Sequence, residues 1–254
     1  MTSELKAAAA SLGVKVIRSL PGGLTGGVWL GEYHGRAVVL KPDTEQSYCA
    51  EALQRWEGRG AVRLLAAVPG VLVLEQLEPG TTLEEVRSDE DYDAAAVTVT
   101  TALWQPCGTI PGLAALAGSW EWQLRGSSWT QELSDAAQMA TRLLGGNPSA
   151  VLLHGDLHPG NILRDGETWK AVDPQPRRGE AAFDVEPLLR RYLDRGERDR
   201  ATALPGILGV STQRTFAWAL VRSAWYGAAS QLAGDIAREA RWRERRALLR
   251  ELCA

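Results

Sequence analysis

The 254-residue sequence predicts an α+β fold with a small antiparallel β-rich N-terminal lobe and a larger α-helical C-terminal lobe. Two observations support this division. Runs of β-branched and aromatic residues between glycine clusters fill the first third of the chain. Segments with helical apolar spacing fill most of the remainder. We expect the N-terminal lobe to cover residues 1–78, a hinge to lie at about 75–80, and the C-terminal lobe to cover 79–254.

The first third predicts an antiparallel hairpin and a helix ahead of the hinge. His34-Gly35 is a turn between two β-rich runs, Gly58 ends a segment with helical spacing, and Pro79-Gly80 ends the hinge. The predicted elements are strands Val14–Ile17, Val28–Tyr33, Arg36–Lys41 and Val71–Leu74, and helix Glu45–Glu57.

The remainder predicts helices. They are Tyr92–Gln105, Trp129–Leu144, Phe183–Leu193 and a long helix from Thr212 to about Ala237. The last segment, Arg238–Leu252, is rich in arginine, and its run Arg238–Glu251 is interpreted as a solvated helix face. The uncharged segment Ala94–Trp120 is long enough to span a bilayer, but its threonines and prolines favour a buried helix followed by a turn.

Composition narrows the class of protein. An apolar fraction of 45% and a charged fraction of 23% are ordinary for a soluble globular protein. The formal net charge of −3 argues against a nucleic-acid partner. Three widely spaced cysteines (Cys49, Cys107 and Cys253) fit a reducing compartment and form no zinc motif. We therefore expect a cytoplasmic monomer or weak dimer with no membrane or nucleic-acid partner.

The most informative residues are two acids and an amide within the segment 153–174. Asp156 is followed five residues later by Asn161, and Asp173 ends a later apolar run. In a Mg-dependent phosphoryl transfer, Asp156 would orient the attacking hydroxyl and accept its proton. Asn161 and Asp173 would supply the oxygen ligands that Mg²⁺ prefers. Because each residue adjoins a short strand-like run, we expect these strands to pair and the three side chains to converge on one edge.

Other residues fit nucleotide binding. Lys41 closes a predicted strand and could contact the phosphates, held by Glu51 on the following helix. The alternative is a surface lysine and a solvated glutamate. The residues Gly22, Gly23, Thr25 and Gly26 lie at a strand-to-strand turn where backbone N–H groups could approach phosphate oxygens, although a plain hairpin turn would look similar.

Two more residues near Asp156 are interpreted as structural. His154 precedes Asp156 by two residues, and its expected role is to bond backbone in the loop that carries Asp156. Asp184 follows in Ala182-Phe183-Asp184-Val185 and is expected to be a buried brace for the same loop rather than a metal ligand.

Three segments carry a family resemblance. They are His154–Leu163, Trp169–Pro174 and Gly179–Leu189. Together they resemble the aminoglycoside phosphotransferase superfamily, and they are most similar to its streptomycin 6-kinase (aminoglycoside/hydroxyurea antibiotic resistance kinase) branch. Proline after Asp173, the segment Arg59–Ala67 and the hinge Leu74–Gly80 are typical of that branch.

The resemblance implies a protein-kinase-like bilobal fold and a small-molecule kinase that uses ATP and Mg²⁺. Lys41 would bind the phosphates, Glu51 would pair with it, and backbone groups near Glu75 and Leu77 would hold adenine. The acceptor would be a hydroxyl on the streptidine part of streptomycin. The implied biological outcome is inactivation of the drug, which is antibiotic resistance.

The catalytic loop does not identify the acceptor, because related kinases use nearly the same loop on different substrates. A cationic substrate would call for carboxylates, and several follow Asp173: Glu180, Glu186, Glu197 and Asp199. Four arginines in the same stretch are awkward for binding a cation. The alternatives are a kinase for a metabolite such as a fructosamine or an amino alcohol, and a nucleotide-binding pseudokinase. The presence of Lys41, Asp156, Asn161 and Asp173 argues against the pseudokinase.

Overall fold

The computed structural model describes residues 2–20, 27–44, 47–115, 127–145 and 150–253. The chain divides into two compact units. Unit 1 comprises Met1–Gln105 and Pro159–Pro176, and unit 2 comprises Pro106–His158 and Arg177–Ala254. The proposed functional boundary at the 75–80 hinge stays a prediction.

Unit 1 contains a five-stranded antiparallel sheet in the order β1-β2-β3-β5-β4. Its strands are β1 (Lys15–Leu20), β2 (Val28–Tyr33), β3 (Arg36–Pro42), β4 (Leu64–Val68) and β5 (Val71–Glu75). The predicted hairpin is confirmed, since Tyr33 pairs with Arg36 and Trp29 pairs with Leu40. Strand β4, which pairs with β5 across the short turn at Pro69-Gly70, was not predicted, because its sequence is apolar throughout and shows no alternation of apolar and polar residues.

One face of this sheet is covered by helix α1 (Ser3–Ser11), which the sequence reading also missed. The Thr2 hydroxyl caps the helix by accepting a hydrogen bond from the Leu5 N–H at 3.3 Å. Leu5 and Ala9 are buried in one apolar cluster with Trp29 and Val38 of the sheet. This cluster anchors β2 and β3, the hairpin whose last strand carries Lys41.

The rest of unit 1 forms a second, three-stranded sheet and its flanking helices. The sheet has the order β6-β8-β9. Its strands are β6 (Pro79–Thr82), β8 (Ile162–Asp165) and β9 (Thr168–Ala171), and 3₁₀ turns lie at Leu83–Glu85 and Pro159–Asn161. The helices are α2 (Cys49–Trp56) and α3 (Asp89–Leu103). Helix α2 begins at Cys49, later than predicted, and it ends before Gly58 (φ +82°) as predicted.

Unit 2 is largely helical. It contains helices α4 (Thr130–Gly145), α5 (Ala182–Asp194), α6 (Arg198–Ile207), α7 (Thr212–Leu232) and α8 (Ile236–Leu252), and a two-stranded sheet of β7 (Val151–Leu153) and β10 (Arg177–Gly179). The predicted long helix to Ala237 is wrong, because α7 ends at Leu232 and Gly234 (φ +72°) breaks it from α8. Helix α6 was not predicted.

The arginine-rich segment forms α8, but interpreting all of it as a solvated face is wrong for two of its arginines. Arg245 and Arg246 are buried. Arg245 donates to Asp194 at 2.9 Å through Nε, and Arg246 donates to the Leu220 carbonyl at 2.6 Å. In the parts of the chain that the structure describes, no helix is long and apolar enough to cross a membrane.

Candidate active site

Unit 1 encloses a cavity of about 700 Å³. It is lined by β1 to β3, by the segment between β5 and β6, and by the β8–β9 hairpin. The predicted site residues among its lining are Lys41, Glu75, Leu77, Asn161 and Asp173. Residues far apart in the chain therefore meet around one space, and apolar side chains such as Val39 and Leu163 form its walls. A largely apolar cleft with a few convergent polar groups is the usual form of a small-molecule site.

Lys41 and Asp173 form an ion pair in this cavity. Lys41 lies on β3, and its Nζ contacts Asp173 Oδ1. Asp173 lies two residues after the last residue of β9 and adopts the left-handed conformation, with φ +59°. Non-glycine residues in this conformation are uncommon and cluster at functional sites. The turn after β9 thus directs the Asp173 carboxylate toward the lysine.

Asn161 lies beside Asp173 because of backbone pairing. The Val172 N–H donates to the Asn161 carbonyl at 2.8 Å, next to the β8–β9 ladder. One amide and one carboxylate in the same cavity are oxygen donors that suit Mg²⁺, which binds through one or two protein groups plus phosphates and water. Among the described residues, no group of three or more His, Cys, Asp or Glu could hold a metal ion.

The two predicted hinge residues line the same cavity. The Glu75 carboxylate accepts hydrogen bonds from the Arg63 N–H at 2.8 Å and from Lys170 at 2.7 Å. Lys170 also pairs with Asp165 at 2.9 Å. Although burial opposes it, pairing with Asp165 and Glu75 raises the pKa of Lys170. These contacts hold Glu75 at the end of β5, two residues before Leu77.

Other predicted nucleotide contacts stay predictions. Glu51 lies on α2 and accepts a hydrogen bond from Arg55 at 3.2 Å, while the Lys41 ammonium contacts Asp173. The predicted phosphate-contacting residues Gly22, Gly23, Thr25 and Gly26 lie outside the described residues.

Asp156 lies in a loop of unit 2 that is held by a buried carboxylate. The Asp184 carboxylate accepts hydrogen bonds from the His154 N–H at 2.7 Å and the Gly155 N–H at 2.8 Å. The Asp156 N–H donates to His154 Nδ1 at 3.4 Å. Both interpretations of these residues as structural are confirmed. Gly155 adopts φ +85°, in the short bend between the end of β7 at Leu153 and Asp156.

One residue at this loop was missed by the sequence reading. Arg222 lies on α7, is buried, and its Nη2 lies 3.3 Å from Asp156 Oδ1. Its Nε pairs with Glu186 at 3.0 Å. Burial lowers the pKa of Arg222, but Tyr226, Glu186 and Asp156 outweigh it and raise the pKa overall. No motif marks Arg222, which is one arginine among the many that the C-terminal half contains.

The predicted convergence of three strands on one edge is only partly correct. β8 and β9 are antiparallel neighbours and bring Asn161 and Asp173 together. β7, which precedes Asp156, pairs with β10 in a different sheet. The physical reason is that Pro159–Asn161 forms a 3₁₀ turn between β7 and β8, so these strands are not a hairpin.

The four carboxylates proposed for substrate binding have different environments. Glu180 is buried and accepts hydrogen bonds from Arg214 at 2.8 Å and Trp218 at 2.5 Å. Glu186 is 1% exposed and pairs with Arg190 and Arg222, each at 3.0 Å. Glu197 pairs with Arg195 at 2.7 Å, and Asp199 is exposed on α6.

The architecture is shared with solved kinases. A thermostable mutant of an aminoglycoside phosphotransferase, crystallised with AMP-PNP and hygromycin B, matches with a TM-score of 0.67 over 98% of each chain. The sequences are 16% identical, so this likeness shows the fold alone. The expected fold is therefore confirmed: it is the α+β, protein-kinase-like fold of small-molecule phosphotransferases.

The sequence comparisons show the family. Residues 20–231 match the model described as aminoglycoside/hydroxyurea antibiotic resistance kinase, and the chain belongs to this family. A hydroxyurea phosphotransferase from Kitasatospora aureofaciens is 34% identical over 206 residues, which cover 72% of the present chain and 58% of that relative. A streptomycin 6-kinase from Streptomyces glaucescens is 32% identical over 212 residues, which cover 72% of the present chain and 67% of that relative.

Proposed function

We propose that this protein is an ATP- and Mg²⁺-dependent phosphotransferase that moves the γ-phosphate to a hydroxyl of a small molecule. The observation that carries the proposal is the meeting of Lys41, Asn161 and Asp173 around one cavity of unit 1. A cation for phosphates and two oxygen donors for Mg²⁺ are the groups that phosphoryl transfer requires. The kinase relatives support the same reading.

Each residue has a distinct task in this proposal. Asp156 orients the acceptor hydroxyl and takes its proton as the oxygen attacks phosphorus. Lys41 binds phosphate oxygens, and Asp173 holds the lysine in place between turnovers. Asn161 and Asp173 would hold Mg²⁺, which neutralises charge on the phosphate when it is bound. Because little covalent chemistry falls to the protein, its contribution is positioning and charge neutralisation.

Streptomycin is the acceptor that we propose first. The similarity to a streptomycin 6-kinase supports it, and so does the exposed carboxylate of Asp199, which could receive a cationic group. Glu197 is half-buried and would share its carboxylate between such a group and Arg195. Glu180 and Glu186 would have to give up internal arginine pairs to serve the same purpose. Hydroxyurea, the compound named for another relative, is the second acceptor to test.

The test is a coupled ADP-release assay with Mg-ATP and separate acceptors: streptomycin, hydroxyurea, kanamycin and a fructosamine. We expect turnover with streptomycin, and phosphorylated product in the mass spectrum. Asp156→Ala should abolish turnover while ATP still binds. Glu167→Gln is the matched control, because Glu167 is 94% exposed in the β8–β9 turn and should keep the wild-type rate.

Two outcomes would contradict the proposal. Wild-type turnover by Asp156→Ala would remove Asp156 from the chemistry. ATP binding without transfer to any acceptor would leave a nucleotide-binding protein without kinase activity. Because the donor is ATP, the proposal includes a cytoplasmic location, and we propose a monomer or weak dimer.

A further inference from the structure

We propose that Arg222 is a positioning residue that fixes the Asp156 carboxylate for proton transfer. The inference rests on the proposed function, in which Asp156 is the base. Arg222 Nη2 lies 3.3 Å from Asp156 Oδ1, although 66 residues separate the two in the chain. The Arg222 side chain is 4% exposed and that of Asp156 is 21% exposed. A buried cation therefore contacts a carboxylate that solvent and acceptor can reach.

The guanidinium is held by several partners, which define its orientation. Nε pairs with Glu186 at 3.0 Å, and Nη1 lies 3.4 Å from the Phe183 carbonyl. Nη2, the atom that contacts Asp156, also lies 3.1 Å from the Tyr226 hydroxyl. The group lies 4.6 Å from the centre of the Phe183 ring. Because guanidinium is planar, partners on Nε and Nη1 fix the direction of Nη2.

The charge balance explains why this arginine is retained in the interior. An isolated buried cation is costly, so it needs a buried counter-charge. Glu186, which is 1% exposed, supplies that charge. Arg190 shares Glu186 from the partly exposed side, with Nη2–Oε2 at 3.0 Å. Glu186 thus neutralises the two arginines in part, and the remaining positive charge faces Asp156.

Two helices carry this network. Arg222 and Tyr226 are one turn apart on α7, a 21-residue helix whose Ser211 cap accepts from the Arg214 N–H. Glu186 lies on α5, two residues after Asp184, which holds the loop backbone. One helix therefore fixes the Asp156 backbone through Asp184, and it fixes the Asp156 side chain through Glu186 and Arg222.

The decisive variant is Arg222→Lys, which keeps the buried positive charge but cannot reach Asp156, Glu186 and the Phe183 carbonyl together. We expect kcat to fall about 10- to 100-fold, as a loosened reacting group requires. KM for ATP should stay within about twofold, because the described lining of the nucleotide cavity includes none of these residues. Arg190→Lys is the matched control, since Arg190 shares Glu186 and the neighbouring Tyr226 ring without the Asp156 contact. It should keep kcat.

A second variant covers the case in which Arg222→Lys does not fold. Arg222→Met combined with Glu186→Gln removes both charges of the buried pair, and such replacements are often tolerated. Arg190 also loses Glu186 in this variant, but its side chain is partly exposed and keeps access to water, so the variant should fold and show the same selective loss of kcat. Equal kcat values for the Arg222 variants and Arg190→Lys would overturn the positioning role while the kinase function stands. Wild-type protein without transfer to any acceptor would instead overturn the proposed function, and the role of Arg222 with it.

Discussion

Replacing Asp184 with asparagine tests how the loop of Asp156 is held. Asp184 is fully buried, and its two oxygens accept hydrogen bonds from the N–H groups of His154 and Gly155. The pKa of Asp184 is raised from 3.8 to about 6, mainly by burial and to a smaller extent by the nearby charge of Asp156. The two N–H donors and Arg222 lower the pKa, but burial outweighs them. Asparagine keeps the shape of the side chain and removes the titration.

The magnitude and sign of the effect follow from proton linkage. A pKa of about 6 in the folded protein against 3.8 in the unfolded chain corresponds to about 3 kcal/mol. Between pH 3.8 and pH 6, Asp184 is mostly protonated in the folded protein and mostly ionised in the unfolded chain. The contribution of Asp184 to the free energy of unfolding is therefore fully present below pH 3.8, and it is lost as the pH rises through 6.

The assay is urea unfolding of wild type and Asp184→Asn at several pH values from 4 to 7, read by far-ultraviolet circular dichroism. Other titrating groups cancel in the difference between the two proteins. We expect the wild-type free energy of unfolding, relative to the variant, to fall by about 2 kcal/mol between pH 4 and 7, because part of the full change of about 3 kcal/mol lies below pH 4. Glu167→Gln, which replaces an exposed carboxylate, is the control for ordinary titration. A difference between wild type and Asp184→Asn that does not change with pH would refute the reasoning.

Three further predictions concern other parts of the molecule. Lys41→Met should weaken ATP binding about 10- to 100-fold in isothermal titration calorimetry, because the phosphates lose a charged partner. Asp173→Ala should abolish the part of nucleotide binding that EDTA removes in the wild type, and unchanged Mg²⁺ dependence would contradict its role as a ligand. Gly227→Ala should lower the free energy of unfolding by about 1–3 kcal/mol, because the added Cβ would lie 2.2 Å from a Trp129 ring atom. Gly206→Ala, where no atom lies within 4 Å of the new Cβ, is its control and should be neutral or stabilising.

The parts of the fold that the sequence predicted correctly are those encoded by neighbouring residues. The β2–β3 hairpin is specified by alternating residues around His34-Gly35, and the end of α2 by Gly58. Asn161 and Asp173 meet because β8 and β9 form a hairpin, an arrangement contained within a few residues. By contrast, β4 is stabilised by pairing with β5 at the edge of the sheet and α1 by packing against the sheet, and their own sequences carry weak signals.

The environment of Asp156 could not be predicted in the same way. The motif His154-Gly155-Asp156 identifies the acid, but its side-chain partner comes from α7, 66 residues further along. Nothing in the sequence around Arg222 distinguishes it from the arginines at the surface. Only the packing of α7 against α5 selects this one, because it places Glu186 against the guanidinium.

The same packing changes what the acidic residues after Asp173 can do. From the sequence alone, we expect the carboxylates of Glu180 and Glu186 to be available to a cationic acceptor. In the structure each pairs with an arginine of α7, Glu180 with Arg214 and Glu186 with Arg222. Removing a partner from a buried pair leaves an uncompensated charge, which costs several kcal/mol. An acceptor cation would have to meet that cost at either residue, so exposed carboxylates such as Asp199 are better placed to recognise it, and the two buried glutamates serve to orient arginines.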